Sequence, residues 1–234
     1  MRAALCVFAL LPGIPAVCAS LIHDYQFQNT LADSLGGPSL VSLGGTIGAG
    51  EYSFAAEQGL SLSNALPDDT NYSIYLDFEF DTLSGYRKIV DFKNLASDNG
   101  LYNLDTDLNF YNFNFGPSGA LNAGTFAQVV LTRDSSTNTV TGYVNGVQQI
   151  QFVDSTSDGV FSAANNIINF FQDDAATGGR ESSSGEVSEI QIYDAPLTAQ
   201  QVAGLSTSTP EPVSSALVGI GLAIAVAQKK RRPI

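Results

Sequence analysis

The chain has 234 residues, of which 44% are hydrophobic and only 14% charged, and its 14 Phe and 9 Tyr supply bulk for a packed core. A disordered chain is therefore excluded. Ten cations against 23 acids give a formal net charge of −13, a surface that repels phosphate backbones and excludes nucleic-acid binding.

The first element is a targeting segment. Arg2 precedes an apolar run from Ala3 to Leu11, broken by Pro12, Gly13 and Pro15, and Val17 and Ala19 are small residues before a cleavage point. That layout predicts a secretory signal over 1–19, cut after Ala19 and too short to span a membrane. Cys18 lacks the Leu and small residues that lipoprotein processing needs. Both cysteines, Cys6 and Cys18, fall inside this segment, so the mature chain holds no disulfide and no cysteine nucleophile.

From 20 to 205 the periodicity is two, the signature of strands. Tyr72–Asp81 alternates Ile74, Leu76, Phe78 and Phe80 with polar residues, and Leu108–Phe115 alternates aromatics with Asn109, Asn112 and Asn114. Further strands are expected at Phe126–Thr132, Thr139–Val144, Val147–Val153, Ile167–Phe171 and Val187–Tyr193. Asn145-Gly146 between two of them predicts a type I′ hairpin, because both turn residues need positive φ. Only Leu197–Leu205 reads as helix, with Thr198 as N-cap and Gly204 near its stop. Short strands separated by Gly, Asn and Asp turns predict an all-β, antiparallel two-sheet sandwich in one domain. Five cations (Arg87, Lys88, Lys93, Arg133 and Arg180) face 22 acids in this region, about 17 net negative charges.

The last segment, 206–234, has three parts: Pro210-Glu211-Pro212, an apolar run over 213–227, and Lys229-Lys230-Arg231-Arg232. Fifteen apolar residues reach about 22 Å as a helix, so they span a membrane only with help from their flanks. The basic end stays cytoplasmic by the positive-inside rule, leaving the domain outside. This tail resembles the PEP-CTERM sorting signal of Gram-negative bacteria. The resemblance implies recognition by an exosortase, with Pro210, Glu211, Pro212, Arg231 and Arg232 as the signal residues. It also implies delivery to the cell surface or extracellular matrix after a transient stay in the inner membrane.

Three stretches of the domain resemble laminin-G-like, concanavalin A-like jelly rolls. They are His23–Phe27 with Leu31–Gly36, Leu131–Asp134 through Tyr143-Val144-Asn145-Gly146-Val147, and Gly185–Asp194 with Pro196–Thr198 and Gln201-Val202. The resemblance implies a jelly-roll fold and favours glycan as partner.

Two constellations could carry chemistry. Asp77, Glu79 and Asp81 lie on one face of a predicted strand, and glycosidases of this superfamily place two carboxylates on a strand in a Glu-x-Asp-x-Glu order. Here the order is Asp-x-Glu-x-Asp and the chain has no Trp, so the solvent face of a half-buried strand is the simpler reading. Asp173 and Asp174 are adjacent carboxylates in a predicted loop, chemistry that suits Ca²⁺, and laminin-G-like domains often hold calcium at a sandwich rim. The alternative is a solvated acidic loop or a pairing with Arg180. Asp98-Asn99-Gly100, Asp105 and Asp107 read as turn residues, and the sole histidine, His23, reads as structural. The expectation is an exported, non-enzymatic jelly-roll module that binds extracellular polysaccharide or matrix. Its alternatives are a glycosidase using the Asp77/Glu79/Asp81 face and a purely structural matrix protein.

Overall fold

The computed structural model describes residues 19–48, 50–161 and 166–206. The sorting tail with Pro210, Glu211, Pro212, Arg231 and Arg232, and all of the signal segment except Ala19, lie outside the described residues.

Fifteen strands and one helix make up the described chain. The strands are β1 (Leu21–Tyr25), β2 (Val41–Ser42), β3 (Thr46–Gly48), β4 (Glu51–Phe54), β5 (Leu60–Leu62), β6 (Tyr72–Phe80), β7 (Tyr86–Asp91) and β8 (Gly100–Leu104). They continue as β9 (Asp107–Tyr111), β10 (Asn114–Phe115), β11 (Ala127–Asp134), β12 (Thr139–Val144), β13 (Val147–Val153), β14 (Ile168–Phe170) and β15 (Gly185–Tyr193), before α1 (Ala199–Ser206). The first sheet runs β13-β12-β11-β6-β15-β4-β3, with β1 also paired to β15, and the second runs β10-β9-β8-β7-β14-β5-β2. Every pairing is antiparallel. This is the expected all-β jelly-roll sandwich with one short helix.

Alternation decides the layers. Ile74, Leu76, Phe78 and Phe80 of β6 face Val129 and Leu131, Val187, Ile190 and Ile192, and the second sheet's Leu101, Phe110, Ile168 and Phe170 in one core. The residues that alternate with these on the first sheet point outward. There Tyr75, Val130, Tyr143 and Tyr193 gather under Leu197 and Val202, so α1 closes part of that outer face. The helix starts as expected: Gln201 N donates to Thr198 Oγ1 at 3.3 Å and Thr198 N to Gln201 Oε1 at 2.9 Å, a reciprocal cap. Asn145 and Gly146 both have positive φ, 49° and 79°, which makes the β12–β13 turn the expected type I′ hairpin.

One expectation needs correction. The Leu108–Phe115 alternation breaks: Asn109 is fully buried, whereas Phe113 and Phe115 are exposed beyond a turn that splits the segment into β9 and β10. The short strands β2 to β5, and β7 and β8, had no sequence signal, because they are brief or carry Lys88, Asp91 and Asn103 on buried positions. Gly185 shows how tightly the first sheet is built, since a Cβ there would run into the carbonyl of Glu79.

Candidate functional site

Two grooves open on the outer face of the first sheet. The first, of about 420 Å³, is lined by Gly44 to Thr46, Ser53, Gln58, Glu79, Asp81, Ser184 and Glu186. Register builds it: Glu186 on β15 stands opposite Glu79 on β6 and Ser53 on β4, so three strands present one polar row. Ser53 Oγ donates to Glu186 Oε1 at 2.9 Å and Ser184 Oγ to Asp81 Oδ2 at 2.5 Å. Burial, then the neighbouring carboxylates of Glu186, Asp81 and Glu51, raise Glu79. Like charges opposite one another on a sheet repel. The expected trio is thus only partly brought together. Glu79 and Asp81 share the groove, while Asp77 lies outside its lining and takes a hydrogen bond from Ser188 Oγ at 3.0 Å. Glu186 joins them instead, a partner invisible until the strand order is known.

The second groove, of about 340 Å³, lies across β11, β12 and β13 and is walled by Pro196 to Ala199. Thr132 pairs with Thr141 and Thr141 with Gln151, while Asp134 pairs with Thr139. Two rows of short polar side chains result. Gln151 Nε2 donates to Thr141 Oγ1 at 3.2 Å, and Tyr143 and Thr137 complete the lining. The hydroxyl of Ser136, with the amide of Ser136 and contacts from Thr137, holds Asp134 below the usual carboxylate range against a smaller effect of burial.

The carboxylates Asp173 and Asp174 belong to a third place, the loop 172–184 that lies against β7 of the second sheet. Lys88 Nζ, fully buried, pairs with Asp174 Oδ2 and sits 3.4 Å from Asp91 Oδ2, with its ammonium 4.9 Å from the centre of the Tyr102 ring. Arg180 does not take the acid: its Nε donates to Thr177 O at 2.9 Å. Asp173 Oδ2 accepts from Thr177 Oγ1 at 2.5 Å and from Glu181 N at 3.0 Å, and its Oδ1 is buried without a partner. That open oxygen suits Ca²⁺. The position between Asp91 and Asp174 is filled by an ammonium group, and no group of three acidic, His or Cys side chains among the described residues is placed to hold a metal ion. Calcium takes six to eight oxygens, whereas between Asp91 and Asp174 the cation in place is the Lys88 ammonium.

Burial, then the carboxylates of Asp98, Asp173 and Asp174, push Glu181 up to about 7. The folded state therefore holds a proton on Glu181 that the unfolded chain releases near the ordinary value of 4.5, and stability falls as pH rises between these values. The expected result is a melting temperature that rises on acidification from about pH 8 to about pH 5.5. Glu181→Gln should flatten that rise in a thermal-melt series; an unchanged slope would place the titration elsewhere.

His23 is structural, its two ring nitrogens facing Asp33 Oδ2 at 2.6 Å and Ala65 O at 2.9 Å. Asp105 is a turn residue with positive φ, as expected, whereas Asp98 takes a hydrogen bond from Tyr102.

Residues 54–203 match the family described as the concanavalin A-like lectin/glucanases superfamily, Laminin_G_3. The chain belongs to this superfamily. No curated protein matches the sequence. Among solved structures, it is similar to domain 4 of AbnA, a GH43 extracellular arabinanase from Geobacillus stearothermophilus, in complex with arabinotriose. That match has a TM-score of 0.55 at 20% identity and covers 81% of this chain and 99% of that one. The binding domain of botulinum neurotoxin DC in complex with SialylT is similar at a TM-score of 0.58 and 15% identity, over 81% of this chain and 51% of that one. Trypanosoma rangeli sialidase is similar at 0.59 and 15%, over 84% and 35%. The chain thus spans nearly all of the arabinanase domain and about half or less of the other two.

Proposed function

We propose that this superfamily member is a non-enzymatic glycan-binding module of an exported surface or matrix protein. The observation that carries the reading is the match over 99% of an arabinanase domain whose structure was solved with arabinotriose. It is supported by open polar grooves on one sheet face, where a polymer can lie across the strands. Export rests on the N-terminal segment and on the PEP-CTERM-like tail, for which an exosortase and the inner membrane are the partners. Ser20 N lies 2.7 Å from Asp194 Oδ1, so a cut after Ala19 would leave a terminal ammonium beside a carboxylate. The intact mass of the exported protein is expected to begin at Ser20, and a different start would discard this cleavage point.

The function is tested by measuring retention of the full-length chain on a panel of bacterial and plant polysaccharides, with calcium and with chelator. Binding unaffected by chelator is expected, because Lys88 fills the cation position. Chelator-sensitive binding would restore a metal role for Asp173. Retention on no polymer would favour a structural matrix role and end the glycan reading.

The first groove favours a second reading, a glycosidase using Glu79 and Asp81. Release of reducing ends from a bound polymer, lost in Glu79→Gln, would establish it.

A further inference from the structure

We propose that the second groove is the saccharide site and that it takes neutral sugars in preference to acidic ones. The inference rests on the glycan-binding reading and names the site and ligand class within it. Thr132, Thr137, Thr139, Thr141, Tyr143, Thr198 and Gln151, residues whose side chains end in a hydroxyl or an amide, line the groove. Sugar hydroxyls both donate and accept, and these groups do the same, so they can exchange hydrogen bonds in either direction. The one charged group in the lining is Asp134. Its bonds to Ser136 keep it ionised.

The decisive feature is where the cations are. All five between residues 19 and 206 make bonds within the chain, and none lines the groove. Lys88 is held by Asp174 and Asp91, and Arg133 by Asp154 at 3.0 Å. Lys93 Nζ donates to Ser157 O and Val160 O, Arg87 Nη1 to Tyr86 O and Arg180 O, and Arg180 Nε to Thr177 O. Arg133 separates Thr132 from Asp134 in sequence, yet strand alternation turns it away from the groove into its buried ion pair. A uronic or sialylated saccharide would bring a carboxylate that loses water, meets Asp134 and finds no cation. That is rejection by an uncompensated charge. A neutral saccharide suffers none of this.

The test measures binding of the full-length chain to a neutral arabinan or galactan and to polygalacturonate and a sialylated oligosaccharide. It uses the parent, Thr139→Val/Gln151→Ala, and Glu57→Gln, a change remote from the groove. Neutral polymer is expected to bind at least about tenfold more tightly than either acidic one. The double variant, which melts like the parent, is expected to lose about tenfold, the worth of two hydrogen bonds, while Glu57→Gln is unchanged. Acidic ligands bound as tightly as neutral ones would overturn the ligand class and leave the glycan reading standing. Neutral binding unaffected by the double variant would overturn the groove assignment alone. Failure to bind any saccharide would remove the glycan reading and this inference with it.

Discussion

Replacing Lys88 by Met is expected to destabilise the domain by about 3–5 kcal/mol, the usual cost of stripping the partner from a buried charge. For a domain of this size that lowers the melting temperature by roughly 6–20 °C. The side chain's length and apolar stem survive the change, so the loss reports charge rather than packing. Two carboxylates would be left behind. Asp174 is the nearer partner. Although burial pushes it up, the hydrogen bond and charge of Lys88 and the amide of Ala176 hold it below the ordinary range. Asp91 is farther, and there burial wins, raising it in spite of the Leu95 amide and Lys88. After the substitution Asp174 keeps Ala176 N and Tyr102, and Asp91 keeps Lys93 N and Leu95 N. Neither retains a cation. Adding Asp91→Asn and Asp174→Asn to Lys88→Met should recover much of the loss, because the remaining groups are neutral and mostly hydrogen-bonded. A melting temperature unchanged in the single variant would show that the ammonium is not what holds the loop 172–184 to β7.

The same cluster marks where sequence reasoning stopped. Strands with one face in the core and one in water declare themselves, and β6, β11, β12, β13 and β15 were legible by alternation alone. The β12–β13 turn was legible because only a pair such as Asn-Gly adopts two positive φ values cheaply. β7 and β8 were not. Their outward residues Lys88, Asp91 and Tyr102 are buried under loops, so polar letters that normally mean solvent here mean a covered sheet. Asp173 and Asp174 looked like a paired site because they are adjacent in sequence. Their partners are set by distance in space, and Lys88 stands 86 residues away from Asp174. The grooves were half legible for a similar reason. Glu79 and Asp81 stood out on one strand, whereas Glu186 joins them only because β15 lies between β6 and β4. The threonines of the second groove carry no motif at all; cross-strand register alone makes a surface of them.

Arg133 anchors the end of the sandwich beside that second groove, and its loss should be felt in both stability and binding. Its Nε donates to Asp154 Oδ2, while Nη1 reaches Thr70 O and Nη2 reaches Asn138 Oδ1 at 3.5 Å. Asp154 also accepts from Asp158 N at 2.7 Å and Gly159 N at 3.1 Å, and Tyr72 Oη donates to Gly159 O. One guanidinium thus ties the start of β6, the end of β11 and the turn after β13. The two ways of breaking the pair are not equivalent. Arg133→Met leaves Asp154 with two backbone donors, so a loss near the lower end of about 3–5 kcal/mol is expected. Asp154→Ala strands a buried guanidinium and orphans two amides together, and each orphan adds about 1–3 kcal/mol. The acid variant should therefore melt well below the arginine variant, and proteolysis should open first at 154–160. Equal melting temperatures would mean that the amides of Asp158 and Gly159 find other acceptors. Because Asn138 and Arg133 are chain neighbours of Thr139, Thr132 and Asp134, loosening this anchor disturbs the register of the hydroxyl rows. Arg133→Met is expected to weaken neutral-glycan binding even at temperatures where it stays folded, although its side chain faces away from the groove.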